Sequence, residues 1–196
     1  MRALIITFLL LGCAGHTPPA ISYQTQNMIY PSLESFPHCR SYGCKKIDLV
    51  SLSNLEKNQI STLYETNINA VQERDNIRNS IALFETLIGK KTGTSQDIGG
   101  TYVQLGHMQH DCIDESMNTT TYLILLDQMN LLQFHDVNAL TSRPPILSGR
   151  LGPHRTAVII DKKTNIKYAV DSWFHDNGVK PEIIELSTWR WGWHPN

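Results

Sequence analysis

The sequence lacks a surplus of charge: 17 Lys and Arg stand against 18 Asp and Glu, a formal net charge of −1. That removes the electrostatic case for a nucleic-acid partner, which needs a basic surplus to neutralise phosphates. It also lacks an H-E-x-x-H run and any paired C-x-x-C, and its eight histidines show no short metal-ligating spacing. No zinc motif is therefore legible, and no metal or organic cofactor is expected. Long apolar runs are missing. The stretch from Ala3 to Leu11, polar only at Thr7, is too short to cross a bilayer as a helix. Cysteine is sparse, at four residues, so each one asks for a reason. What is present, 196 residues of which 41% are hydrophobic, suffices for one domain with a sizeable core.

The first residues read as a processing segment rather than as fold. "MRALIITFLLLGCAG" carries one positive charge, Arg2, before its apolar run. Its end, "LLGC", resembles the lipobox of bacterial lipoproteins. The resemblance implies cleavage before Cys13 and a lipid on that thiol. "AGHTPPAISYQTQ" then reads as an extended tether, since Pro18 and Pro19 sit among small and polar neighbours. Ala14 stands where an aspartate favours inner-membrane retention, so an outer-membrane address facing the periplasm is expected. The organisation expected is 1–12 signal peptide, 13–30 tether and 31–196 a single domain with a helical N-terminal region.

Export alters the remaining cysteines. "CRSYGC" can close a small loop between Cys39 and Cys44, with Gly43 easing the return. Cys112 is then odd. It can be a buried small hydrophobe, a partner of Cys39 or Cys44, or a reactive thiol.

Ser53 with Glu56 reads as a capping box opening a helical region from Leu52 to Ile88, with "ETNINA" as a break. Val71, Ile77 or Arg78, Ile81, Phe84 and Ile88 fall on roughly one face, and the region's glutamates and arginines read as a solvated face. Gly89, two lysines and Gly93 mark a stop. A second helix is expected over about Cys112 to Met129. "HRTAVIID" and "IKYAVDSWF" around "KKTN" predict a hairpin, and "PEIIELSTWRW" a further strand. Helices followed by antiparallel strands indicate α+β. Trp189, Trp191 and Trp193 alternate, which places three rings on one face.

Cys112, His154 and Asp171 form the constellation with chemical potential. Helix N-terminal amides favour a thiolate at Cys112. A hairpin register pairing residues whose numbers sum to about 325 sets His154 beside Asp171. That order suits a nucleophile, a proton carrier and an orienting acid. The adjacent Asp111, Asp114 and Glu115 also read as helix-capping acids, whose charge opposes a thiolate. A zinc set of Cys112, His110 and His154 lacks a second short-spaced ligand pair.

The segments "GHMQHDCIDES", "HRTAVIID" and "YAVDSWF", within roughly Thr101 to Phe174, resemble the transglutaminase-like superfamily of papain-like folds, and more closely its bacterial cysteine-proteinase-like members. The resemblance implies a papain/transglutaminase-like core, with a buried nucleophile helix packed on an antiparallel sheet. It implies Cys112 as nucleophile, His154 as general base and acid, Asp171 as orienting acid and Gln104, ahead of Gln109, as oxyanion donor. Arg155 and Thr156 stand where many members carry tryptophan, and Ser172 and Trp173 where proline-threonine is common. The function so implied is a cell-envelope cysteine protease or amidase working through a thioester on a peptide or protein, peptidoglycan peptides included. Transglutaminase-type transfer to an amine, and a non-catalytic envelope binding or assembly lipoprotein, are the alternatives.

Overall fold

The computed structural model describes residues 28–66, 69–101, 105–144 and 153–195. Cys13, the apolar run and the rest of the proposed signal and tether up to residue 27 lie outside them, as does Gln104. The chain opens with a hairpin, β1 (Phe36–Arg40) and β2 (Lys46–Val50). Helix α1 (Asn54–Ser61) follows, then a 3-10 turn (Thr62–Tyr64) and helix α2 (Ala70–Thr92). Helix α3 (Cys112–Gln128) leads into strands β3 (His135–Arg143), β4 (His154–Asp161), β5 (Lys167–Asp171) and β6 (Glu182–Glu185). Helix α4 (Leu186–Arg190) ends the set. No helix among the described residues is long and apolar enough to cross a membrane.

Local chemistry explains the helix ends. Ser53 and Glu56 close a reciprocal capping box on α1, an arrangement that contributes about 1 kcal/mol. Asn69 caps α2 by accepting from the Gln72 amide, and Gly93, at φ 81°, ends it in the left-handed conformation that glycine adopts freely. Gly89 belongs to the body of α2 and is no terminator. Ile77, Ile81, Phe84 and Ile88 are fully buried, whereas Val71 is exposed. Phe84 stacks on Tyr122 of α3 at 4.7 Å between ring centres.

Every residue of α3 from Asp114 to Leu126 is buried. A helix enclosed on all sides must satisfy its polar side chains internally. Thr120 and Thr121 donate back to the carbonyls of Ser116 and Met117. Thr119 pairs with Ser172, and Asn118 brackets Cys39 by accepting from its amide at 2.7 Å and donating to its carbonyl at 2.9 Å. Asn118 thereby fastens β1 to α3.

The architecture is mixed α+β with two distinct antiparallel sheets, β1-β2 and β3-β4-β5-β6. α3 touches both, packing on β1 and also on β3, β4 and β5. This corrects the expected papain/transglutaminase-like core: a separate disulfide-tied hairpin and a four-stranded meander share the central helix. Alternation along the meander divides its faces. Ala157, Ile159 and Val170 join the main core, while Val158 and Ala169 pack with Leu186 and Trp189 of α4.

Three further expectations are corrected. The β4–β5 register pairs Ala157 with Val170 and Ile159 with Tyr168, sums of 327 rather than 325. "LSTWR" is helical, so Trp189 is fully buried while Trp191 is 80% exposed, and the three terminal rings share no face. Glu73 and Glu85 of α2 are buried rather than solvated.

Candidate functional site

The N-terminus of α3 is built by acids. Asp111 is its N-cap and accepts from the amides of Ile113 at 2.9 Å and Asp114 at 3.0 Å. Asp114 returns the contact to the Asp111 amide and also accepts from Tyr42 and Cys44. The loop it holds is closed by the Cys39–Cys44 disulfide, which in a loop this short contributes about 2 kcal/mol. Asp114 and these two sulfurs lie close together, but sulfurs bonded to each other offer no thiolate to a metal.

Cys112, the first residue of α3, is the free thiol, and it is half-buried. Its Sγ donates to the Pro153 carbonyl at 3.7 Å. Burial pushes the thiol up to about 11, and the charges of Asp111 and Asp171 push the same way, against the amide and charge of Arg155. Helix amides that would favour a thiolate serve the Asp111 carboxylate instead. At neutral pH the sulfur is a protonated donor.

His154 Nε2 meets Asp171 Oδ2 at 2.7 Å, with both side chains buried. The two-residue register offset leaves them on one face, since a shift of two preserves the side-chain alternation. The same Asp171 oxygen accepts from Trp189 Nε1 at 2.7 Å. The rings of Trp173, Phe174 and Trp189 surround the imidazole at 4.8, 5.2 and 5.5 Å. Among the described residues no hydrogen bond joins Cys112 Sγ to His154, and His154 Nδ1 makes none. The structure thus couples His154 to Asp171 and sets the thiol against the backbone just before His154.

These findings correct the cysteine-protease, amidase and transglutaminase readings. Two of the described cysteines form a disulfide, and the third is held as a neutral thiol. Gln109 is committed as well: its Nε2 donates to the Gln96 carbonyl and its Oε1 accepts from Ile98. It clamps a loop with both ends of its amide.

His110, which the sequence offered to zinc beside Cys112 and His154, sits elsewhere. Its Nδ1 lies 2.8 Å from Glu115 Oε1 and 3.3 Å from Asp97 Oδ2, all three residues buried. Nothing in the sequence marked Asp97, because the loop return that brings it to His110 is long-range. His38 packs edge-on against His110 at 5.2 Å and contacts the Tyr122 hydroxyl.

Burial, then the charges of His110 and Arg40, hold His38 well below the ordinary imidazole range. Its folded pKa is depressed, so as pH falls below about 6.5 the unfolded chain takes up this proton first. Stability is lost in that direction, by about 1.4 kcal/mol per pH unit for one proton. Urea unfolding between pH 5 and 7 should show a His38→Gln variant with a pH slope smaller by about one proton.

On the outer hairpin, Ile47 is 42% and Leu49 64% exposed on one face of β2. Among the described residues β2 pairs with β1 alone. Beside it lies a cavity of about 450 Å³ lined by Ser41, Tyr42, Lys45, Lys46, Gly106 and His107. Comparison with protein-family models, with curated proteins and with solved structures finds no match to this chain, so the resemblance to the transglutaminase-like superfamily gains no support from relatives.

Proposed function

We propose that the chain is a non-catalytic envelope protein that binds an extended polypeptide segment along β2, in an assembly or tethering role. The observation that carries this reading is the β2 ledge, where Ile47 and Leu49 are exposed beside the cavity lined by Lys45 and Lys46. A free strand edge offers main-chain hydrogen bonds to an added strand, and alternate side chains supply selectivity. Neither Lys45 nor Lys46 makes an ion pair among the described residues, so an acidic residue flanking an apolar one fits the ledge. Peptide or protein partners of the periplasm have this chemistry, and peptidoglycan peptides carry the carboxylates. The envelope address rests on Arg2, the run from Ala3 to Leu11 and the lipobox-like "LLGC" ending at Cys13. On this reading Cys13 carries the lipid and residues 13–30 form the tether.

Selection from a displayed random peptide library tests the binding surface. The wild-type chain should enrich extended sequences alternating acidic and apolar residues, and a Lys46→Glu, Leu49→Asp double variant should lose that enrichment. Both positions are exposed, so the variant should fold normally. Enrichment unchanged in the double variant, or none at all in the wild type, overturns the reading.

A further inference from the structure

We infer that Asp97, His110 and Glu115, with the Glu85 carboxyl close enough to feel their charges, form a buried site for a divalent first-row transition-metal cation. The site joins the last turns of α2, the loop after Gly93 and the start of α3.

Each acid there uses one oxygen on the protein, and those of Asp97 and Glu115 leave the other toward His110. Asp97 Oδ1 accepts from the His110 amide at 2.7 Å, leaving Oδ2 toward the imidazole. Glu115 Oε2 accepts from Ser172 Oγ at 2.7 Å, leaving Oε1. Glu85 Oε2 accepts from the Gly178 amide at 2.8 Å, and its buried Oε1 has no hydrogen-bond partner. Partners of this kind orient ligands in metal sites. Metal bonds of about 2.0–2.2 Å set neighbouring ligand atoms about 2.8–3.1 Å apart in an octahedral site and about 3.3–3.6 Å apart in a tetrahedral one. The separations from His110 Nδ1, 2.8 and 3.3 Å, fall one in each range.

The competing arrangement is an imidazolium held between carboxylates. It leaves one nitrogen unserved: His110 is 3% exposed, and its Nε2 has no hydrogen-bond partner. Its charge is poor as well. One imidazolium cannot neutralise both Asp97 and Glu115, and uncompensated buried charge is strongly destabilising. A dication on neutral His110 balances two ionised carboxylates fully. One imidazole among oxygen donors favours the transition series over magnesium or calcium.

The test titrates the full chain, stripped with chelator, with Zn²⁺ by calorimetry and with Co²⁺ by visible absorption. The expected result is one Zn²⁺ per chain, thermal stabilisation on binding, and Co²⁺ d–d bands. His110→Gln should abolish those bands and Glu85→Gln should weaken Zn²⁺ binding about 10- to 100-fold. Glu85→Gln retains a donor set if His110→Gln proves unstable. A His107→Gln, His175→Gln control removes histidines outside the cluster and should bind as the wild type does. Absence of stoichiometric binding, or binding lost in that control and kept in both cluster variants, overturns the inference.

Discussion

Replacing Glu73 by alanine should destabilise the fold by about 3–5 kcal/mol, the range for removing one partner from a buried charged network. Glu73 is fully buried on α2. Its carboxylate accepts from the amides of Gln133, Phe134 and His135, and from the His135 ring at 2.8 Å. The segment entering β3 therefore depends on one side chain from a helix about 60 residues earlier. Alanine leaves three amide donors without their acceptor, that of His135 fully buried, whereas Glu73→Gln keeps an acceptor and should lose less. Urea unfolding measures both, and a loss under about 1 kcal/mol for alanine would remove Glu73 from this role.

Trp189→Ala should destabilise by a similar amount, about 3–5 kcal/mol, through the loss of a large buried ring. Trp189 is fully buried and fills the sheet face covered by α4. Its Nε1 donates to Asp171 and Arg143 lies 4.6 Å over its ring, while the His154 ring packs beside it. Trp189→Phe retains most of the apolar contact and removes one donor from Asp171, so it should lose about 1–2 kcal/mol. Thermal unfolding of the pair separates packing from hydrogen bonding. Equal losses in the two variants would assign the effect to the indole N–H alone.

Where elements rest on local chemistry they were legible. Ser53 with Glu56, Gly93 after the lysines, and Asp111 before a run of helix formers mark ends that the structure reproduces. The β4–β5 hairpin was legible for the same reason, since Asn165 accepts the positive φ its turn demands. β1 and β2 were not. Five residues each, with Pro37 in β1, they carry no clean alternation and depend on Asn118 and the disulfide. β3 escaped because its register shifts between Asn138 and Thr141, breaking the two-residue period. The α4 turn followed a strand-like sequence, and burial of Trp189 decided its conformation.

The candidate site divides similarly. Proximity of His154 and Asp171 was readable from strand order, even with the register two residues out. The protonation of Cys112 was the harder inference, because a helix N-terminus favours thiolate and neighbouring acids oppose it. Here burial raises the thiol most, the charges of Asp111 and Asp171 add to it, and Asp111 occupies the helix amides. Glu73 and Glu85 gave no signal of burial, since a glutamate on an amphipathic helix looks the same in sequence whether it meets water or a backbone amide.

The most direct measurement is the alkylation rate of Cys112 in the native chain with iodoacetamide, located by peptide mapping and followed from pH 7 to 10. A thiol at about 11, against an ordinary value of 9.0, should react about 100-fold slower at pH 7.5. Its rate should climb about tenfold per pH unit and stay within about twofold in a His154→Ala variant. Fast labelling at neutral pH that levels off below pH 8 and disappears in His154→Ala would show an activated thiolate and contradict the non-catalytic reading.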